Sequence, residues 1–257
     1  MNADPDRAIT KDSARAGAWL ERGGLFFSPA LSVLGLVAGF STKRQGSMAG
    51  SQYPLDEQER NRVALARTLG FDAVVRTKQV HGREVVYVER QADPWPVADA
   101  QWTDRTGVLL GVAAADCVPI LVADPRGPIG IAHAGWEGTT QRVAEALVEA
   151  MVKGGAVRER LAASLGPSIG PCCYAIDEQR AEIVRTRIGE ADVRRDGQRP
   201  VLDLWAANER QLHAVGVVRV EGSGICTRSG GAGLWSYRGR DAAGRYGTQL
   251  GFLGRRV

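Results

Sequence analysis

Three short apolar runs in the middle of this 257-residue chain constrain its fold more than any other feature. Val108 to Ala113, Val118 to Val122 and Ile129 to Ala132 lie within GVLLGVAAADCVPILVADPRGPIGIAHAGWEG, residues 107–138. Each run is rich in β-branched residues and bounded by Asp-Pro, Arg-Gly-Pro or Gly signals, so each reads as a strand of a sheet core. Cys117 and His133 fall where these strands begin or end. Junctions between strand and loop are where folds present reactive side chains, which makes this pair the first functional clue.

The flanking sequence supplies helices as well as further strands. LDEQERNRVALARTLG, residues 55–70, predicts a helix capped by Asp56, with Val63, Leu65, Ala66 and Leu69 on its apolar stripe and Gly70 as its stop. Asn61 and Arg62 then read as a solvated helix face. FFSPAL and VLGLVAGFST predict a pair of early strands, and FDAVVRTKQVHG followed by EVVYVER predicts a hairpin with His81 at its tip. Residues 91–106 form a long connection with two Pro and two Trp, a length that often marks a functional loop. Downstream, Thr139 or Thr140 is expected to cap a helix with apolar rows Val143, Leu147, Met151 and Ala144, Val148, Val152. AASLGPSIGPCCYAI reads as a strand breaking into a Gly/Pro loop. Helices are expected over 177–188 and 203–215, and VVRVEG and LWSYRGR as closing strands. Strands and helices mix without strict βαβ alternation.

Residues 1–20 are polar at first and without apolar period, so they are expected to form a flexible tail before a single domain over 21–257. The apolar stretch 25–40 is interrupted by Ser28, Pro29, Ser32 and Gly35 and is shorter than the roughly 20 residues of a membrane span. Asp4, Asp6, Asp12 and Glu21 argue against a signal peptide, which leaves a cytoplasmic location as the expectation and no membrane partner. The net charge of +4 is spread along the chain, so no nucleic-acid partner is implied. Most of the basic residues are Arg, which suits bidentate recognition of phosphate or carboxylate and permits an anionic substrate.

Only three His occur, at 81, 133 and 213. His213 lies mid-helix among polar neighbours. His81 and His133 sit in Gly-flanked QVHG and IAHAGW, and with Cys117 they make a donor set of two imidazoles and a thiolate. Such a set holds zinc and leaves a fourth position open. Cys117 also fits a nucleophile activated by a neighbouring His, or an inert buried thiol. Asp116 would point away from Cys117 on strand geometry. Cys172, Cys173 and Cys226 read as free thiols, able to form a second metal site only if folding gathers them. GPSIGP at 166–171 and the arginines Arg238, Arg240 and Arg245 are weaker candidates for holding an anion.

Taken in order, KQVHG (78–82), ADA (98–100), ADCVPIL (115–121), AHAGWEG (132–138), LGPSIGPCCY (165–174), CT (226–227) and SYR (236–238) resemble the laccase-domain family. Its members were first called polyphenol oxidases and are described as zinc-dependent purine nucleoside phosphorylases with adenosine deaminase activity. The resemblance implies an α+β fold, a single domain of mixed sheets packed together and flanked by helices, distantly like the cytotoxic-necrotizing-factor-like cysteine hydrolases. It implies zinc ligands at His81, Cys117 and His133, which would also be the catalytic residues. Arg62, Gln79 and Arg238 would lie near a purine nucleoside, and inorganic phosphate would be the co-substrate. Glu137 and Gly239 stand where the family usually has Arg. Copper in place of zinc is disfavoured, because three His are too few for a multicopper centre.

Two rival readings remain open at this level. One is a Cys117–His133 hydrolase acting on an amide or peptide bond, as in cell-wall precursor editing. The other is a metal- or partner-binding protein without catalysis, motivated by Glu137 and Gly239. Neither the preferred nucleoside nor the oligomeric state is legible in the sequence.

Overall fold

The computed structural model describes residues 19–231 and 233–257. The expected tail falls almost wholly on residues 1–18, outside the described residues. In chain order the strands are β1 (Leu20–Arg22), β2 (Leu25–Phe27), β3 (Val37–Phe40), β4 (Val74–Val75), β5 (Val85–Tyr87), β6 (Ala100–Thr103), β7 (Leu109–Ala114), β8 (Val118–Ala123), β9 (Ile129–Ala134), β10 (Ala162–Leu165), β11 (Val193–Asp196), β12 (Arg199–Leu202), β13 (Arg219–Gly222) and β14 (Gln249–Gly254). The helices are α1 (Pro29–Ser32), α2 (Leu55–Leu69), α3 (Trp136–Thr140), α4 (Val143–Lys153), α5 (Glu178–Ile188) and α6 (Leu204–Ala214).

Two six-stranded sheets carry the architecture, in the orders β1-β2-β3-β14-β7-β4 and β13-β10-β8-β9-β6-β5. Each mixes parallel and antiparallel neighbours. The apolar runs of residues 107–138 become the cores of both sheets, β7 in the first and β8 and β9 in the second. Alternation along each strand then decides what fills which layer. Leu110 and Val112 of β7 meet Leu121 and Ala123 of β8 and Ile129 and Ile131 of β9 between the sheets. Val118, Ile120 and Val122 turn the other way, onto Val143, Leu147 and Met151 of α4. Leu109 turns outward in the first sheet, onto Leu65, Ala66 and Leu69 of α2. The result is an α+β domain in which two mixed sheets pack together with helices outside, as the family resemblance implies. No helix among the described residues is long and apolar enough to cross a membrane.

Several local expectations fail for identifiable reasons. FFSPAL is not one strand: Ser28 accepts from the Leu31 amide, Pro29 takes the first helical position, and α1 forms. α2 begins after Pro54 with no side-chain cap, so Asp56 does not cap it. Thr139 and Thr140 belong to α3, and α4 starts instead after Arg142, whose φ is 62°. The hairpin around His81 does not exist, because β4 pairs with β7 in one sheet while β5 pairs with β6 in the other. The His81 turn is therefore a bridge between sheets. LWSYRGR is loop, and the closing strand is β14, which takes a central place between β3 and β7. Asp177 and Asp203 do cap α5 and α6, accepting from the amides of Arg180 and Ala206.

Candidate functional site

Three elements bring His81, Cys117 and His133 together. His133 lies inside β9, on the parity of Ile129 and Ile131, so its ring points into the layer between the sheets. Cys117 immediately precedes β8, at the end of the loop that carries the chain from the first sheet to the second. His81 sits on the bridge between β4 and β5 with φ 62°, a left-handed conformation uncommon for a residue with a side chain. One ligand atom from each of the three lies within 4.8 Å of the others. The imidazoles meet edge to face, with centroids 4.9 Å apart.

Asp99 holds this arrangement. Fully buried beside β6, its carboxylate accepts from the amides of Val80 (3.0 Å), His81 (3.0 Å) and Gly82 (2.7 Å), and Oδ1 lies 3.0 Å from Nδ1 of His133. The amides fix the strained turn that carries His81. The His133 contact favours a proton on Nδ1 and leaves Nε2 as the free ring nitrogen. Sequence reasoning used ADA only as part of a resemblance and gave Asp99 no role.

Charge at the centre is tightly coupled. Burial pushes the Cys117 thiol up, but the charge and hydrogen bond of His133 and the hydrogen bond of His81 outweigh it, so the pKa falls below the ordinary thiol value. Burial pushes His133 down, but the Cys117 charge and the Asp99 hydrogen bond outweigh it and its pKa rises. His81 is raised by its hydrogen bond to Cys117. A thiolate beside cationic imidazoles is the state these shifts favour, and a cation ligated there would displace the imidazole protons. Two imidazole nitrogens and a thiolate converging on one point, with a carboxylate behind one His, fit a zinc ion with three protein ligands. Gly135 keeps the centre close: a Cβ there would stand 2.9 Å from Cys117 Sγ and 3.2 Å from His81 Cδ2.

The centre opens into a cavity of about 610 Å³, within the range of small-molecule sites. Gln79 is on its wall, but its amide is engaged, donating to the Ala113 carbonyl (2.9 Å) and accepting from the Ala113 N–H (2.8 Å), so it ties the His81 bridge to β7. Arg238 is also on the wall, its guanidinium 4.8 Å from the Tyr174 ring centroid and bonded to the Ala175 carbonyl. Asp116 lies in the loop between β7 and β8 with φ 88°, so strand alternation does not govern it; it accepts from the Arg238 amide (2.7 Å) and the Thr227 hydroxyl (2.6 Å) and anchors the C-terminal segment.

Arg62 is not the solvated helix face that the periodicity suggests. It is buried rather than solvated, because its guanidinium bonds the Met48 carbonyl (2.6 Å) and pairs with Glu59. It is not on the cavity wall and instead backs Trp95, 5.8 Å from the ring centroid. Arg76 takes the wall position that sequence reasoning did not find. It is buried, stacks 4.4 Å from the Trp95 centroid, leaves Nε without a hydrogen-bond partner, and has no ion pair among the described residues. Burial, with the nearby Arg62 charge, brings its pKa down to about 10. Its only sequence signal was an Arg inside a strand-like run. The other anion candidates are spent elsewhere. The amides of Gly166, Ser168, Ile169 and Gly170 all have partners, Arg240 bonds the Tyr237 carbonyl, and Arg245 pairs with Asp241. Glu137 lines the cavity, whereas Gly239 lies outside it.

Comparisons with known proteins converge on one family. The family model described as multi-copper polyphenol oxidoreductase laccase matches residues 38–256. A purine nucleoside phosphorylase from Deinococcus radiodurans is 40% identical over 228 residues, covering 84% of this chain and 87% of that protein. A protein named adenosine deaminase RL5, from an unknown prokaryotic organism, is 33% identical over 172 residues, 61% of this chain and 66% of that protein. The crystal structure of YlmD from Geobacillus stearothermophilus superposes with a TM-score of 0.81 at 30% identity, covering 93% of this chain and 99% of that one.

Proposed function

Because the chain belongs to the family described as multi-copper polyphenol oxidoreductase laccase, whose relatives here are named purine nucleoside phosphorylase and adenosine deaminase, we propose that it is a zinc-dependent enzyme of purine nucleosides. It cleaves adenosine, inosine or methylthioadenosine with phosphate, and it deaminates adenosine. The observation that carries the reading is the convergence of His81, Cys117 and His133 on the wall of a cavity that Arg76, with no ion pair among the described residues, and Arg238 also line. Zinc held by the three would supply Lewis acidity at an open fourth position.

The chain's own residues do the rest. Asp99 keeps His133 in one tautomer and holds the His81 turn. Arg76 and Arg238 offset the charge of phosphate, and Arg76 does so from a buried place where an anion meets little competition from water. In phosphorolysis a phosphate oxygen attacks the anomeric carbon as the bond to the base breaks, and the guanidinium groups hold that oxygen in line. Tyr174 and Trp136 offer aromatic wall to the base. The family name notwithstanding, three His do not furnish the ligands of a multicopper centre.

The geometry also supports a second reading, a Cys–His hydrolase of amide bonds. Cys117, His133 and Asp99 follow one another as nucleophile, base and orienting acid. Incubation of metal-analysed protein with adenosine, with and without phosphate, separates the readings. Adenine formed only with phosphate establishes phosphorolysis, and inosine formed without it establishes deamination. No turnover of any nucleoside, together with amide hydrolysis abolished by Cys117 alkylation, would replace the purine reading with the hydrolase. Binding without turnover in wild type and Cys117→Ala alike would leave only a binding protein.

A further inference from the structure

A second convergence of metal-ligating side chains lies away from the centre just described and is independent of the purine reading. Cys172 and Cys173 occupy the loop after β10, and Cys226 follows β13. Their Sγ atoms all lie within 4.8 Å of one another, those of Cys172 and Cys173 being 3.6 Å apart. All are free thiols. Two chain segments more than fifty residues apart in sequence are needed to build the group, so chance adjacency along the chain does not account for it.

The frame around the sulfurs is rigid. Ser168 and Cys226 face each other as a parallel bridge, the Ser168 amide donating to the Ile225 carbonyl (3.2 Å) and the Thr227 amide to the Ser168 carbonyl (3.0 Å). The Gly170 amide donates to Cys226 Sγ at 3.3 Å, and the Ser229 hydroxyl lies 3.4 Å from Cys172 Sγ. Gly170 admits no side chain, since a Cβ would stand 2.7 Å from the Trp205 ring and 3.4 Å from Cys172 Sγ. Cys226 is buried, Cys173 half-buried and Cys172 exposed, so the group has an anchored inner ligand and an open outer one.

We propose that Cys172, Cys173 and Cys226 form a site for a soft d10 cation, Cu⁺ or Zn²⁺, distinct from the His81–Cys117–His133 centre. All-sulfur donor sets select thiophilic ions over hard ones. Cu⁺ is satisfied by three thiolates, whereas Zn²⁺ takes a fourth ligand from solvent on the exposed Cys172 side. On binding, each thiol that becomes a ligand releases its proton to solvent. The ion would clip together two segments of the cavity wall. Ile169 and Tyr174 of the first line the cavity, and Thr227 of the second holds Asp116, which holds Arg238. A bound ion therefore stabilises the native chain by mass action.

The test is a titration of the reduced, metal-free full chain with Cu⁺ and, separately, Zn²⁺ against competing chelators, for wild type, Cys117→Ala and Cys172→Ser. Wild type is expected to take up two equivalents of the ion that fits. Cys117→Ala keeps one equivalent that raises the melting temperature, and Cys172→Ser keeps the other. X-ray absorption of the Cys117→Ala complex should show three sulfur ligands and no imidazole nitrogen, with one solvent oxygen added where the ion is Zn²⁺. Cys172 is exposed, so its substitution leaves folding intact. A single equivalent in wild type abolished by Cys117→Ala, or two equivalents undiminished by Cys172→Ser, overturns the proposal.

Discussion

Oδ1 of Asp99 stands 3.0 Å from Nδ1 of His133 while the same carboxylate accepts three consecutive amides from the turn carrying His81. One buried acid thus positions two of the three proposed metal ligands. In Asp99→Asn the side chain has one acceptor where it had two, and its NH₂ group opposes either an amide or the His133 N–H. Metal affinity is expected to fall about 10–100-fold, the usual cost of losing such a partner. Chelator competition measures it, and unchanged affinity would show that Asp99 serves folding alone.

Gly135→Ala tests how tightly the centre is built. The backbone of Gly135 has φ −74°, which alanine adopts freely, so any effect comes from the methyl group against Cys117 and His81. Metal content and turnover should drop sharply. The loss of stability should stay within the 1–3 kcal/mol or so typical of overpacking. Metal analysis beside a denaturant titration separates the two.

Arg76→Met should weaken phosphate without unfolding the protein. A guanidinium that donates charged hydrogen bonds contributes about 1.5–3 kcal/mol, so KM for phosphate is expected to rise about tenfold or more while phosphate-independent deamination persists. Burying an unpaired charge costs stability, so the melting temperature should hold or rise. Burial lowers the Arg76 pKa only to about 10, so the guanidinium is charged at neutral pH and phosphate affinity should not change through the neutral range on its account.

Asp124, at the end of β8, is fully buried and accepts from Arg160, Val157 and Arg126. Burial raises its pKa, but these donors outweigh it and hold the carboxyl below its usual range. A depressed folded-state pKa gives stability that is complete above the unfolded value of roughly 3.9 and disappears as pH falls through the folded value. Asp124→Asn should cost about 1–3 kcal/mol at pH 7. The gap from wild type should close under strongly acid conditions. Denaturant titrations at pH 7 and near pH 3 check the sign.

What the chain determined by itself was local. Apolar runs bounded by Gly and Pro predicted β7, β8 and β9 nearly to the residue, and Asp177, Asp203 and Gly70 marked helix ends, because caps and periodicity act within a few residues. His81, Cys117 and His133 were legible as a donor set because so few His exist and each candidate sat at a turn. Pairing between strands was decided only in three dimensions. β4 and β5 went to different sheets, and β14 left the C-terminus for a central place, since register depends on partners distant in sequence. Burial reversed the solvated-face reading of Arg62 and put Arg76 on the cavity wall, because which face of a helix or strand meets solvent is set by what packs on it. Asp99 and the three-thiol cluster emerged for the same reason: hydrogen bonds and ligand sets are defined by distance in space.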